Sequence, residues 1–434
     1  MTQLTRKLAL ERPVRLEAPD RTDNSFLQIS LTRLDHNLDA IRHTIRRPDR
    51  FSDTQPMVCG VIKSNAYGLG AVPIAKRLAD RGIDMLAVYS VREAEQLIHN
   101  AVTCPILLLM PLRDLGRNDP LYRTATAGRL HLSIHDAEQL NQVNHFGRVL
   151  DLKMPVHLYY DTGMSRSGLN RQELADALAR MPELPHVQLA GLFTHLATAD
   201  NDETFTNEQL EMFDHALAEH NDQLPDSAVV HVGNTFATLR DRRYHRDMVR
   251  VGLGLFGYGP DLLTGGSLIA NAEPLLPIVR WVSRINHVQK YPKGTPVSYG
   301  ATYRLQRDSV LGVVPVGYGN GYPLSLSNRG RVGLPDLRTG PQHITANVLG
   351  RVTMDQIVID LTDALGSADP TPVRLMNSTV ELISDDPTSP CALPRLAEAA
   401  GSHCYEMLCR LSPDLPRHYL TTDAQNTQKV KSDE

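Results

Sequence analysis

Between Phe26 and Gly257 the chain repeats one unit: an apolar run of strand length, then a stretch with helical periodicity. Eight runs have strand character: "MVCGVIK", "MLAVYS", "PILLLM", "GRLHLSI", "PVHLYYD", "VQLAGLFTHL", "AVVHVGN" and "MVRVGLGLFG". Helical patterns over 71–82, 91–100, 171–181 and 207–220 separate most of them. Strands that are apolar throughout must be covered on both faces, and intervening helices make such a sheet parallel. The repeated unit fits a (β/α)8 TIM-type barrel; a doubly wound open sheet also satisfies the pattern. The connection "PLRDLGRNDPLYRTATAG" (111–128) is loop-like and predicts a poor helix.

From about Leu275 the alternation stops. The runs "PIVRWVSRINHV", "SVLGVVPVGYGNGY", "ITANVLGRV", "MDQIVIDL" and "STVELIS" are β-rich and punctuated by Gly and Pro. They predict a second, all-β domain. The turn-rich "GPDLLTGGS" puts the boundary within Tyr258 to Ala272. The expected organisation is a flexible extension over 1–24, a barrel over 25–262, a C-terminal β domain over 263–420 and a disordered polar tail over 421–434.

A formal net charge of −4 and the lack of a long basic run argue against a nucleic-acid partner. Five scattered cysteines with no CxxC pair point to a reducing compartment. The first 24 residues lack the apolar core of a signal peptide, and no run reaches the ~18 apolar residues of a membrane span. The expectation is a cytoplasmic protein with no membrane partner.

In a barrel, chemistry sits at the C-terminal strand ends. Lys63 closes the first strand, and an ammonium there is costly to bury unless paired or converted. Asp161 and Arg166 follow the fifth strand, and His195 closes the sixth. Asn234 and Thr235 close the seventh, and Arg250 lies in the eighth. Taken singly, each has an ordinary structural reading: a snorkelling lysine, a core histidine, a helix cap, an ion-paired arginine. Their convergence on one mouth points to a site. The glycines Gly252, Gly254, Gly257 and Gly259 lie beside Thr235, where barrels commonly bind phosphate through backbone N–H groups. A lysine, a phosphate cradle and no metal-ligand cluster suggest pyridoxal 5′-phosphate, whose aldehyde condenses with a lysine amine and whose ring draws electrons.

At this point the chain resembles the alanine racemase family over nearly all of 26–420. Segments matching in order are "VIKSNAYGLG", "DTGMSRSGL", "GLFTHLATAD", "HVGNTFATL", "VRVGLGLFGYG", "VSYGATY" and "GRVTMDQIVIDLT". The resemblance implies a racemase acting on a small amino acid and built as a homodimer with shared sites. Lys63 would hold the cofactor and act as base on one face of the substrate. Tyr299, supplied by the partner subunit, would act on the other. Arg250 would donate to the pyridine nitrogen, supported by His231, with His195 beside the ring. Tyr67, Asn234, Thr235, Gly252 and Leu253 would hold the cofactor, chiefly its phosphate. Arg166 and the backbone N–H of Met354 would bind the substrate carboxylate.

The family pattern breaks in places. Tyr159 stands where a carbamylated lysine often buttresses the arginine. Asn320 and Leu324 replace Asp and Arg of "GYADGYPR". Pro413 replaces a tyrosine that lines the site and reaches the phosphate. Drift with local compensation accounts for these; so does a wider pocket that admits serine or a broader range of amino acids. A non-catalytic cofactor-binding barrel and a related decarboxylase are the competing functions. The β domain with Tyr299 argues against the first, and the lack of a matching Cys–Asp pair against the second.

Overall fold

The computed structural model describes residues 24–47, 55–259, 268–269, 272–338, 340–365 and 375–421. The extension over 1–24 and the tail over 421–434 lie almost wholly outside these residues, as does much of the turn-rich 258–272 stretch. The chain forms two compact units, one from the described residues of 30–278 and 419–434, the other from those of 1–29 and 279–418.

The first unit is a closed parallel barrel. Its strands are β2 (Met57–Val61), β3 (Met85–Val88), β4 (Ile106–Leu108), β5 (Leu130–Ile134), β6 (Met154–Tyr159), β7 (Val187–Phe193), β8 (Val229–His231) and β9 (Met248–Val251). Closure is direct, with Met57–Gly60 running parallel to Met248–Val251. A barrel rather than an open sheet is therefore the observed solution. The helices begin where the sequence supplies acceptors for their unpaired N–H groups. Ser90 and Asn170 each form a reciprocal capping box with a glutamate three residues on, Glu93 and Glu173. In the poorly helical 111–128 connection the structure has just the short helix Tyr122–Thr126.

The second unit contains a sheet of order β11-β14-β17-β16-β15-β18-β10-β1-β19. These strands are β1 (Ser25–Ser30), β10 (Val279–Arg284), β11 (His287–Tyr291), β14 (Ser309–Val314), β15 (Arg331–Gly333), β16 (Thr345–Leu349), β17 (Ile357–Asp360), β18 (Thr379–Ile383) and β19 (Arg417–Leu420). A small ladder of β12 (Pro296–Val297) and β13 (Tyr303–Arg304) lies outside that sheet. The sequence reading began the barrel at residue 25 and the β domain at 263. In the structure β1 instead pairs antiparallel with β10, Ser25 opposite Ser283 and Ile29 opposite Val279. The mostly buried run "SFLQIS" thus finds a partner strand on the far side of the chain, a long-range pairing that local pattern does not encode. The second unit is also not all β: short helices span Leu393–Ala400 and Cys404–Cys409.

One irregularity in the barrel bears on the site. Between β6 and β7 the register slips, so that Val156 faces Leu189 and His157 faces Gly191. A Cβ on Gly191 would lie 2.3 Å from His157 Nδ1 and 2.6 Å from the Val229 carbonyl oxygen. Overpacking of this kind costs roughly 1–3 kcal/mol. Gly191→Ala should therefore lower the urea midpoint with little change in m, whereas Gly116→Ala, with open space around it, should leave the midpoint unchanged or slightly raised.

Candidate active site

Lys63 lies two residues past the end of β2 and is half-buried. The chain then turns the wrong way for L-residues: Ser64, Asn65, Ala66 and Tyr67 have φ of 54°, 56°, 52° and 55°. Left-handed backbone costs about 1–2 kcal/mol per residue, so the surroundings must impose it. Ser64 N–H donates to Glu93 Oε1 at 2.6 Å, and Asn65 Oδ1 accepts from Ala71 N–H at 2.8 Å. Tyr419, within the same unit, donates its hydroxyl to the Leu69 carbonyl at 2.9 Å. The turn carries the buried Tyr67 against Gly252, where a Cβ would fall 2.3 Å from the Tyr67 hydroxyl. Gly252 must therefore lack a side chain for Tyr67 to sit there.

After β8, Asn234 caps the helix Thr235–Arg240 by accepting from Ala237 N–H, so its ordinary structural role is fulfilled. Thr235 Oγ1 accepts from the N–H groups of both Gly252 and Gly254 at 3.3 Å. Leu253 is buried in the tight turn that follows β9. Tyr67 and Thr235 thus both meet Gly252, with Leu253 next in the chain, and a Cβ on Gly252 would fill the space that Tyr67 occupies.

Arg250 lies in β9 and is 5% exposed. Among the described residues no carboxylate pairs with it. Its guanidinium instead donates to the carbonyls of Thr194, His231 and Val232 at 2.7, 2.9 and 3.2 Å, and to His231 Nδ1 at 3.0 Å. A longer contact of 3.4 Å reaches His195 Nδ1. The ring of Phe193 lies under the guanidinium, 5.2 Å from its carbon. Burial lowers the pKa of Arg250 to about 10, which leaves it charged at neutral pH. Burial, followed by the charges of Arg250, Arg166 and Lys63, pulls His195 down to about 3. Arg250, Arg166 and Lys63 thus all lie within electrostatic range of His195.

Arg166 is exposed on the loop after β6. The loop is folded by Asp161, whose carboxylate accepts the N–H groups of Gly163, Met164 and Ser165 at 3.0, 2.8 and 3.0 Å. Tyr159 is buried, stacked on Phe193 at 4.7 Å with His135 edge-on at 5.5 Å. Burial raises its phenol pKa against the opposing pull of Arg166, and its hydroxyl has no hydrogen-bond partner of good geometry among the described residues. Position 159 is therefore filled by an aromatic stack.

In the other unit Tyr299 sits between β12 and β13, directly after Ser298 at φ 60°, and is 72% exposed. Met354 is 55% exposed. Its loop is clamped to the Gly317–Gly321 segment, with Tyr318 N–H donating to the Thr353 carbonyl and Gly319 N–H to that of Met354. Asn320 Oδ1 accepts from Gly317 N–H at 3.0 Å, so it retains the acceptor an aspartate would provide.

The sequence reading missed His157 and His131. Both are inward-facing polar residues in largely apolar strands, where Ser133 is the other polar residue of β5, and the alternation in "GRLHLSI" and "PVHLYYD" carried that signal. His157 Nδ1 lies 2.8 Å from His231 Nε2, and His157 Nε2 lies 2.9 Å from His131 Nδ1.

The sequence matches two family descriptions: alanine racemase, N-terminal domain over residues 31–260, and alanine racemase, C-terminal domain over residues 278–419. The alanine racemase of Symbiobacterium thermophilum is 35% identical over 386 residues, 88% of this chain and 95% of its own length. That of Halothermothrix orenii is 31% identical, covering 92% and 97%. The crystal structure of an alanine racemase from Streptomyces lavendulae superposes with a TM-score of 0.77 at 27% identity, covering 93% of this chain and 98% of the other. Among the described residues no helix is long and apolar enough to cross a membrane.

Burial holds His131 down to about 4, and His157 and His231 well below the usual histidine range. These groups are neutral when folded and take up protons when unfolded below about pH 6.5. Their contribution to stability is thus complete above pH 6.5 and is lost as pH falls. Unfolding free energy should drop between pH 6.5 and 5 by about 1.4 kcal/mol per pH unit for each such histidine once it is charged in the unfolded chain. Urea titrations across that window check this; a flat profile would contradict it.

Proposed function

Since the chain belongs to the alanine racemase family, we propose that it interconverts L- and D-alanine in the cytoplasm as a homodimer. Its cofactor is pyridoxal 5′-phosphate, held by Lys63. When bound, this group supplies an electron-withdrawing ring that makes the α-proton of an attached amino acid removable. The observation that carries the reading is the buried, charged Arg250 with neutral acceptors behind it.

The donor set fits the cofactor. Arg250 is a permanent donor, so it can bind a ring nitrogen without giving up a proton. That tempers electron withdrawal and disfavours side reactions such as transamination. Tyr67, Thr235, Gly252 and Leu253 form a cradle of N–H and hydroxyl groups suited to the phosphate, with Asn234 fixing the helix that carries Thr235. His195 stays neutral beside the ring and His231 supports Arg250.

Racemisation needs proton transfer on both faces of the α-carbon. Lys63 serves one face, and Tyr299 of the partner subunit the other. Arg166 and the Met354 N–H bind the substrate carboxylate. The exposure of Tyr299 and Met354 on their own unit supports their use in a shared site. We also assign a measurable activity on serine, since Pro413 lacks the aromatic wall and hydroxyl of the tyrosine it replaces.

Tyr299→Phe should retain the cofactor yet lose racemisation by ~10²-fold or more. Mixing Lys63→Ala and Tyr299→Phe subunits should restore activity; none after verified subunit exchange would refute a shared site. Borohydride treatment of the wild type should fix the cofactor to Lys63, as read by peptide mapping, and label on another residue would refute that assignment. Pro413→Tyr should lower the serine-to-alanine ratio of kcat/KM; an unchanged ratio would remove the case for serine.

A further inference from the structure

The barrel interior holds a row of imidazoles behind Arg250, and its polarity can be read from hydrogen-bond chemistry. A guanidinium has donors and no acceptor. His231 Nδ1, 3.0 Å from Arg250 Nη1, must therefore present its lone pair. A neutral imidazole then carries its proton on Nε2. That N–H donates to His157 Nδ1 at 2.8 Å, which places the His157 proton on its own Nε2. The His157 N–H donates in turn to His131 Nδ1 at 2.9 Å. Every ring has the same tautomer, with lone pairs facing Arg250 and protons facing His131. A proton added at His231 or His157 would set donor against donor.

The path is built into the backbone. It starts in β9 at Arg250, crosses to His231 of β8, and reaches His157 of β6 and His131 of β5. Between β8 and β6 it passes β7 where the residue is Gly191, at the register slip. An alanine there would strike His157 Nδ1, the atom that accepts from His231. His157 and His231 are fully buried.

We propose that His157 and His131 are positioning residues for Arg250: through His231 they fix one tautomer and hold the guanidinium in place with neutral acceptors. This rests on the reading of Arg250 as the group that faces the cofactor ring. A carboxylate would hold an arginine as well, but would cancel its charge at the site. The imidazole row supplies an acceptor and leaves the charge intact, and polarisation along such a row strengthens each bond.

The test is 15N NMR of the full chain labelled in histidine, with and without cofactor, joined to kinetics with alanine. His231 and His157 should both show the neutral Nε2–H tautomer with slow exchange. His157→Phe keeps a ring but no donor or acceptor; it should shift the His231 resonances and speed exchange of its N–H. Its kcat should fall about ten- to a hundredfold, as when the hydrogen-bond partner that orients a metal-ligating histidine is removed, with KM nearly unchanged. Gly191→Ala, which displaces His157 without removing it, should give the same His231 signature. If His157→Phe fails to fold, His131→Asn tests the same chain from its less buried end. A proton on His231 Nδ1 in the wild type, or His231 signals and kcat unmoved in the variants, would overturn the proposal. A wild type inactive on alanine would overturn the assigned reaction, while the histidine signals would still decide the chain.

Discussion

Arg250 is a full charge placed inside a barrel, and its neighbours are arranged around the cost of that placement. Burying an ion without a counter-charge costs several kcal/mol. Hydrogen bonds to a charged group offset this at about 1.5–3 kcal/mol each. The structure meets the demand with carbonyls at the ends of β7 and β8 and with the Nδ1 lone pair of His231. The carbonyl of Thr194 can be spent on Arg250 because the chain has already left β7 there. Phe193 completes the support by presenting its ring face to the cation and to His231, on which it stacks at 4.8 Å. A positive charge held by neutral groups remains available to an electron-rich ligand atom.

The second constraint is the left-handed turn after Lys63. Four successive L-residues at positive φ form an unfavourable local structure, and contacts from Glu93, Ala71 and Tyr419 hold it. Its effect is directional: it leaves Lys63 at the mouth while swinging Tyr67 inward against Gly252. Lys63 and Tyr67, four residues apart, are thus held at the two ends of one turn. Tyr159 shows the opposite economy: its ring packs between His135 and Phe193, while among the described residues its buried hydroxyl makes no hydrogen bond of good geometry.

Much of the barrel was legible because doubly buried strands print as apolar runs, and the positions of Lys63 and His195 just past strand ends, and of Arg250 within the last strand, followed from that count. The strand β1 was not, since its partner lies about 250 residues away in the chain and nothing local distinguishes it from a barrel strand. The left-handed turn was hidden because "SNAY" has no residue whose chemistry demands it; Asn65 tolerates positive φ, but Tyr67 does not favour it. His131 and His157 were visible as polar breaks at alternate positions, yet a lone inward histidine is most often a satisfied core residue. Only the spacing across Gly191, a property of the register slip, turns them into a connected row.

The central claim is that a charged Arg250 is held by neutral imidazoles that share one tautomer. Neutron diffraction from a deuterated crystal near pH 7 tests it most directly, since it locates each exchangeable deuteron. The account predicts deuterons on every guanidinium nitrogen of Arg250 and on Nε2 alone of His231 and His157. A deuteron on His231 Nδ1, facing Arg250, would contradict it.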